Sequence, residues 1–184
     1  MKNKFLLLAL MVSIGATSAQ KINGKWTSIA VENLGNSWGT RDFTFDGNNW
    51  KLTFIMYGDS NKQYPLFAFD AEGTYTIGKK SETMSNANET EFVFTKKYLT
   101  AVTDDPSILK QLGFTSCNLK KGVKTDISES GCSFFASVKN YSLEYDLTYL
   151  QGNKLYLGAR PADNNLGKPN LRPTKLGYAL IKIN

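Results

Sequence analysis

The stretch WGTRDFTFDGNNWKLTFIMYGDSNKQYPLFAFDAEGTYTI, residues 38–77, constrains the fold more than any other part of the chain. Four short apolar, aromatic-rich runs are separated there by Asp46-Gly47, Gly58-Asp59-Ser60 and Glu72-Gly73. Phe43 and Phe45 alternate with polar neighbours, and Trp50, Leu52, Phe54 and Met56 follow at strict period two. Period two sends alternate side chains to one face of a strand, and Asp-Gly is a strong hairpin signal. Tyr64, Phe67 and Phe69 supply a third run and Tyr75 and Ile77 a fourth. The pattern predicts a β-meander with large aromatics on one side, and the question is what that side encloses.

The first residues set the compartment. Lys2 and Lys4 precede an apolar run over residues 5–12, and Thr17 and Ala19 are small. That order predicts a secretory signal peptide over residues 1–19, cleaved before Gln20, because the run is too short to span a bilayer. No cysteine lies near the cleavage position, which argues against a lipid-anchored lipoprotein. Residues 20–184 are then expected to form a single domain, exported to the periplasm or the extracellular space, with no transmembrane segment in the mature chain. Removing two lysines leaves 20 basic against 16 acidic side chains, scattered rather than clustered, so no nucleic-acid partner is expected. Cys117 and Cys132 are the only cysteines and are expected to pair, closing a polar loop without apolar period.

Beyond the meander, residues 91–95 and 98–102 are read as another strand pair joined through Lys96-Lys97. Asp105, Pro106 and Gly113 frame a short helix. Residues 134–138, 143–150, 154–158 and 177–183 are read as further strands. Leu143, Tyr145, Leu147 and Tyr149 alternate with Glu144, Asp146 and Thr148, and Gly152-Asn153 turns the chain into Leu155 and Leu157. The total is about ten strands and almost no helix: an all-β, antiparallel barrel or strongly curved sheet.

The chain contains no histidine. That excludes Ser-His-Asp and Cys-His nucleophilic sites, histidine-ligated zinc and the commonest general base at neutral pH. No catalytic residue, metal ligand or cofactor is assigned. Glu144 and Asp146 share one strand face, as a glycosidase pair would, but the same spacing sets them opposite Tyr145 and Leu147. With the apolar face inward, the two carboxylates are expected on the solvated side of the sheet.

Gly24-x-Trp26 ahead of the first strand resembles the opening of lipocalin-type (calycin) barrels, in which the tryptophan packs one end. A wider resemblance runs through Trp38, Thr40-Arg41-Asp42-Phe43-Thr44-Phe45, Asn49-Trp50, Tyr57-Gly58-Asp59, Pro65-Leu66-Phe67 and Gly73-Thr74-Tyr75. Thr90-Glu91-Phe92, Tyr98-Leu99-Thr100, the cysteine pair, residues 154–158 and Arg172-Pro173-Thr174 continue it. In this order the residues resemble the extracellular domain of the adenomatosis-polyposis-coli-down-regulated family, the Wnt antagonists of animals. The resemblance implies a lipocalin-like, half-open β-barrel with an apolar cavity for an acyl chain, in animals the lipid on Wnt. It implies no Wnt partner for this chain.

Phe45, Trp50, Tyr57, Phe67, Tyr75 and Phe92 stand at matching aromatic positions, and Phe54, Met56 and Tyr145 join them as candidate ligand residues. Arg160 and Arg172, near the last strand, could meet an acid headgroup. Eleven Phe, nine Tyr and three Trp suffice either to line a chamber or to fill a solid core. The leading expectation is a noncatalytic exported protein that holds a fatty acid or lipid-like molecule. The alternative is an extracellular structural or adhesive β-domain that binds protein or glycan through its surface.

Overall fold

The computed structural model describes residues 22–183; the leader expected over residues 1–19 lies outside the described residues. Ten strands form one antiparallel sheet: β1 (Gly24–Ser28), β2 (Glu32–Asn33), β3 (Trp38–Asp46), β4 (Asn49–Tyr57), β5 (Pro65–Lys80), β6 (Asn88–Ala101), β7 (Thr125–Asp126), β8 (Leu143–Gln151), β9 (Lys154–Gly158) and β10 (Leu176–Ile183). Their order is β1-β10-β9-β8-β6-β5-β4-β3, and β1 also pairs with β3, so eight strands close into a barrel. β2 pairs with the start of β3, and β7 pairs with β6. The all-β antiparallel barrel read from the sequence is thus the observed fold, with its hydrogen-bonded ring complete. Openness is confined to one end. There β6 pairs with β8 only over Asn88 to Val93, and β3 pairs with β1 only from Asp42 to Phe45, so the far ends of β3 to β6 project past the closed ring.

Two of the expected turns are absent. β5 runs unbroken through Glu72-Gly73, and β6 runs unbroken through Lys96-Lys97. At that point the register shifts: Glu72 pairs with Lys96 but Gly73 with Phe94, leaving Thr95 as the extra residue of a β-bulge. Gly73 is required there, because a Cβ would collide with the Val93 carbonyl. The indole of Trp50, paired with Gly73 from β4, donates to the carbonyls of Thr74 (3.0 Å) and Val93 (3.2 Å) and fastens the distortion. Residues 134–138, read as a strand, form only an isolated bridge between Cys132 and Phe135.

The closed end is filled by aromatics that successive strands send inward. Trp26, Phe43, Phe45, Trp50, Tyr75 and Phe92 are all buried. Phe45 meets Tyr75 edge-on at 5.0 Å, and Trp50 meets Phe92 edge-on at 5.3 Å. Such contacts add about 0.5–1.5 kcal/mol each beyond area burial. The projecting end is covered by the connection between β6 and β8. It begins with helix α1 (Pro106–Gln111), where Asp105 accepts from the N–H groups of Ser107 and Ile108 and Gly113 turns the chain at φ 70°. The Cys117–Cys132 disulfide ties this connection, and Phe114, Ile127 and Cys132 join the core beneath it.

Candidate functional site

Each candidate residue has a definite side of the barrel wall. Strand pairing sets Phe45 opposite Trp50, Phe43 opposite Leu52, Arg41 opposite Phe54 and Gly39 opposite Met56, all on the inward face. Phe45, Trp50, Tyr75 and Phe92 belong to the packed base. Phe67 is fully buried under the cap, edge-on to Phe114 at 5.3 Å and to Phe135 at 5.6 Å. Leu52, Phe54 and Met56 differ from them: they point inward and pack on the core, yet each stays partly accessible. Leu34 and Phe134, exposed by 43% and 57%, flank this strip. The Leu34 side chain and the Phe54 ring both crowd Gly39, and Phe54 and Phe134 each lie 6.1 Å from Phe67. The projecting end therefore carries an apolar, partly accessible strip with exposed apolar groups at both margins. Tyr57 points outward, into a groove on the barrel exterior.

The expectation for β8 is overturned. Glu144 pairs with Phe92 and Asp146 with Thr90, both inward positions of β6, so the carboxylates face inward and Tyr145 faces out. Glu144 and Asp146 are only 6% and 2% exposed. The reason lies in the segment after β9. Leu166, fully buried, accepts from the N–H of Tyr145 at 2.8 Å. Arg172 stacks on the Tyr145 ring and donates to the carbonyls of Thr90 (2.9 Å) and Asp146 (2.5 Å). The apolar alternation of β8 is thus satisfied by a wrap of chain on the outside rather than by the interior.

Inside, the carboxylates find partners. Both oxygens of Glu144 accept from the forked guanidinium of Arg160, with Nη1 to Oε2 at 3.0 Å. Asp146 Oδ1 accepts from the N–H groups of Leu147 (2.6 Å) and Gly158 (2.8 Å). Burial nevertheless raises the Asp146 carboxyl to about 6, against the opposing pull of Arg160. Arg160 and Arg172 are accordingly engaged with groups of the protein.

Three inward polar residues were not singled out from the sequence. Arg41 bonds Glu32 through Nε, at 2.9 and 3.0 Å, and reaches the Tyr178 carbonyl at 3.2 Å. Glu32 is 4% exposed. Lys97 is 3% exposed; its ammonium donates to the carbonyls of Ala136 (3.0 Å) and Tyr141 (2.7 Å) and sits 4.5 Å above the Phe94 ring. Burial lowers its amine to about 8. Arg41 was legible, since it continues the inward set of Phe43 and Phe45 at period two. Lys97 was not, because the bulge at Thr95 shifts the phase of β6 and turns an outward position inward.

An antiparallel eight-stranded barrel with a packed aromatic base, a disulfide-tied cap and an inward apolar strip defines a lipocalin-like β-barrel protein. The chain belongs to the adenomatosis polyposis coli down-regulated 1 family, whose model matches residues 7–130. The match stops before β8, so Glu144, Asp146, Arg160 and Arg172 lie beyond it. No curated protein matches the sequence.

Proposed function

We propose that the protein is an exported, noncatalytic binding protein that holds an apolar, acyl-type ligand at the projecting end of its barrel. The family and the barrel fold are consistent with a binding protein, and the disulfide and the extracellular character of the family support export. The observation that carries the ligand class is the strip of Leu52, Phe54 and Met56, inward-facing yet accessible between exposed Leu34 and Phe134. An acyl chain laid on such a strip gains about 0.8 kcal/mol for each methylene removed from water. The interior cations are already engaged, Arg41 and Arg160 each with a glutamate and Lys97 with the carbonyls of Ala136 and Tyr141, so affinity rests on burial of the chain rather than on a headgroup charge.

Native mass spectrometry of the protein from its host, followed by solvent extraction and titration with a fluorescent fatty acid, tests this reading. A bound lipid, or saturable uptake that Phe54→Trp reduces, supports it. An empty protein without saturable uptake would instead favour a solid core and a surface-binding role, for which the tightly packed base provides a precedent within the same barrel.

A further inference from the structure

The barrel exterior holds a second, unrelated feature. After Ser28 the chain leaves β3, detours through residues 29–31 and returns as β2, which meets β3 only at Trp38 and Gly39. The ladder along β3 is interrupted at Thr40 and Arg41, where the Arg41 N–H is taken by the Ser28 hydroxyl at 2.8 Å instead of by a strand. The detour opens a groove of about 350 Å³ between the turn and the outer faces of β3 and β4. That volume lies at the small end of ligand sites, roughly 300–1,000 Å³.

The lining combines hydroxyls, a carboxylate and apolar side chains. Along its floor on β3 stand the Thr40 hydroxyl and the exposed carboxylate of Asp42, with the Thr27 hydroxyl beside Asp42; Ile29, 49% exposed, lies on the β1 flank and Ile55, opposite Thr40, on the β4 flank. Lys62 closes the rim from the β4–β5 loop. Asp42 occupies a lateral row, Thr27, Asp42, Thr53 and Asp70, that crosses four strands. Its counterpart Asp70 spends both oxygens, on Thr53 (2.6 Å) and on Lys124 (3.1 Å). Asp42 spends only Oδ1, on the Thr27 hydroxyl at 2.5 Å, and among the described residues Oδ2 has no protein donor. A charged acceptor with spare lone pairs, ringed by hydroxyls that donate or accept, suits a ligand with adjacent hydroxyl groups. The flanking isoleucines suit the C–H groups at the edges of the same ring.

We propose that this groove is a saccharide-binding subsite that takes one sugar ring over β3, with vicinal hydroxyls on Asp42 and Thr40 and ring C–H groups against the flanking Ile29 and Ile55. It is independent of the acyl strip, which lies on the opposite surface of the β3–β4 wall. The test is an amide chemical-shift titration of the full exported chain with the methyl glycosides of glucose, galactose, mannose and N-acetylglucosamine. Saturable shifts confined to residues 27–31, 40–42 and 55 are expected for at least one glycoside. Losing a charge-assisted bond should weaken that binding about tenfold in Asp42→Ala. Thr40→Val, nearly isosteric, should weaken it by a smaller factor while the remaining spectrum is unchanged. No saturable shift in this segment with any of the four glycosides, or equal affinity in wild type and both variants, would overturn the proposal.

Discussion

Arg160 grips both carboxylate oxygens of Glu144 from the loop that follows β9, so a residue beyond the last hairpin supplies the counter-charge for a carboxylate on the inward face of β8. Glu144 keeps 8% side-chain exposure and Arg160 keeps 39%. Removing the arginine therefore strands a nearly buried carboxylate, whereas removing both charges does not. A fully buried broken pair costs about 3–5 kcal/mol. Screening at the half-open arginine reduces this to about 2 kcal/mol for Arg160→Met. Urea unfolding should show Arg160→Met clearly destabilised and Glu144→Gln/Arg160→Met recovering most of the loss. Equal stability of the single and double variants would show that the pair is solvent-balanced.

The meander was legible in the sequence because period two and the Asp46-Gly47 turn act locally; Phe45 does face Trp50 across β3 and β4. The helix was legible because Asp105, Pro106 and Gly113 are local cap chemistry. The inward face of β8 was not. Its alternation fits either side of the wall, and the choice was made by Leu166 and Arg172, partners distant in sequence. The β6 bulge depends likewise on Gly73 of another strand. Local pattern thus predicts the strands, while burial on both faces of β8 hides which face is interior.

Asp146 makes acid stability measurable. Its folded-state pKa of about 6 lies above the unfolded value of about 4, so the folded protein binds the extra proton. The stability this contributes is fully present below about pH 4 and is lost as pH rises through about 6. Asp146→Asn keeps an acceptor for Leu147 and Gly158 without the charge. Its unfolding free energy relative to wild type should therefore improve from about pH 4 to about pH 7 and then level off. A constant difference across that window would mean Asp146 is ionised throughout.

Lys97 reports on the cap. Its backbone also takes part: the Ile127 N–H donates to the Lys97 carbonyl at 2.9 Å, and the Lys97 N–H donates to the Ser128 hydroxyl at 2.9 Å. The amine is depressed to about 8, below its unfolded value of about 10.4, so above about pH 8 the unfolded chain binds more protons than the folded one. Wild-type stability should rise between about pH 8 and about pH 9.5. The ceiling avoids the buried Tyr75 and Tyr141 phenols, both pushed up to about 12, whose linkage runs the other way once the unfolded tyrosines ionise. Lys97→Met should abolish the rise and, by leaving the Ala136 and Tyr141 carbonyls without their donor, cost about 1–3 kcal/mol at neutral pH. Hydrogen exchange should quicken over residues 127–141 before it does in β3 to β5; uniform quickening would place the effect in the whole barrel.

Gly39 controls access to the inward strip. It pairs with Met56, and a Cβ added there would lie 2.6 Å from the Phe54 ring and 2.9 Å from Leu34. Both contacts are closer than side chains tolerate, so Gly39→Ala must drive Phe54 and Leu34 apart or into the space a ligand would use. Overpacking of this kind costs about 1–3 kcal/mol, which a thermal melt will register. Phe54→Leu acts in the opposite sense, removing ring volume from the same place at a cost in packing. If the strip receives an acyl chain, saturable uptake of a fluorescent fatty acid should fall in Gly39→Ala and persist in Phe54→Leu, although both variants melt below wild type. Uptake that follows melting temperature instead, falling equally in both, would mean the probe reads loss of packing and not the strip.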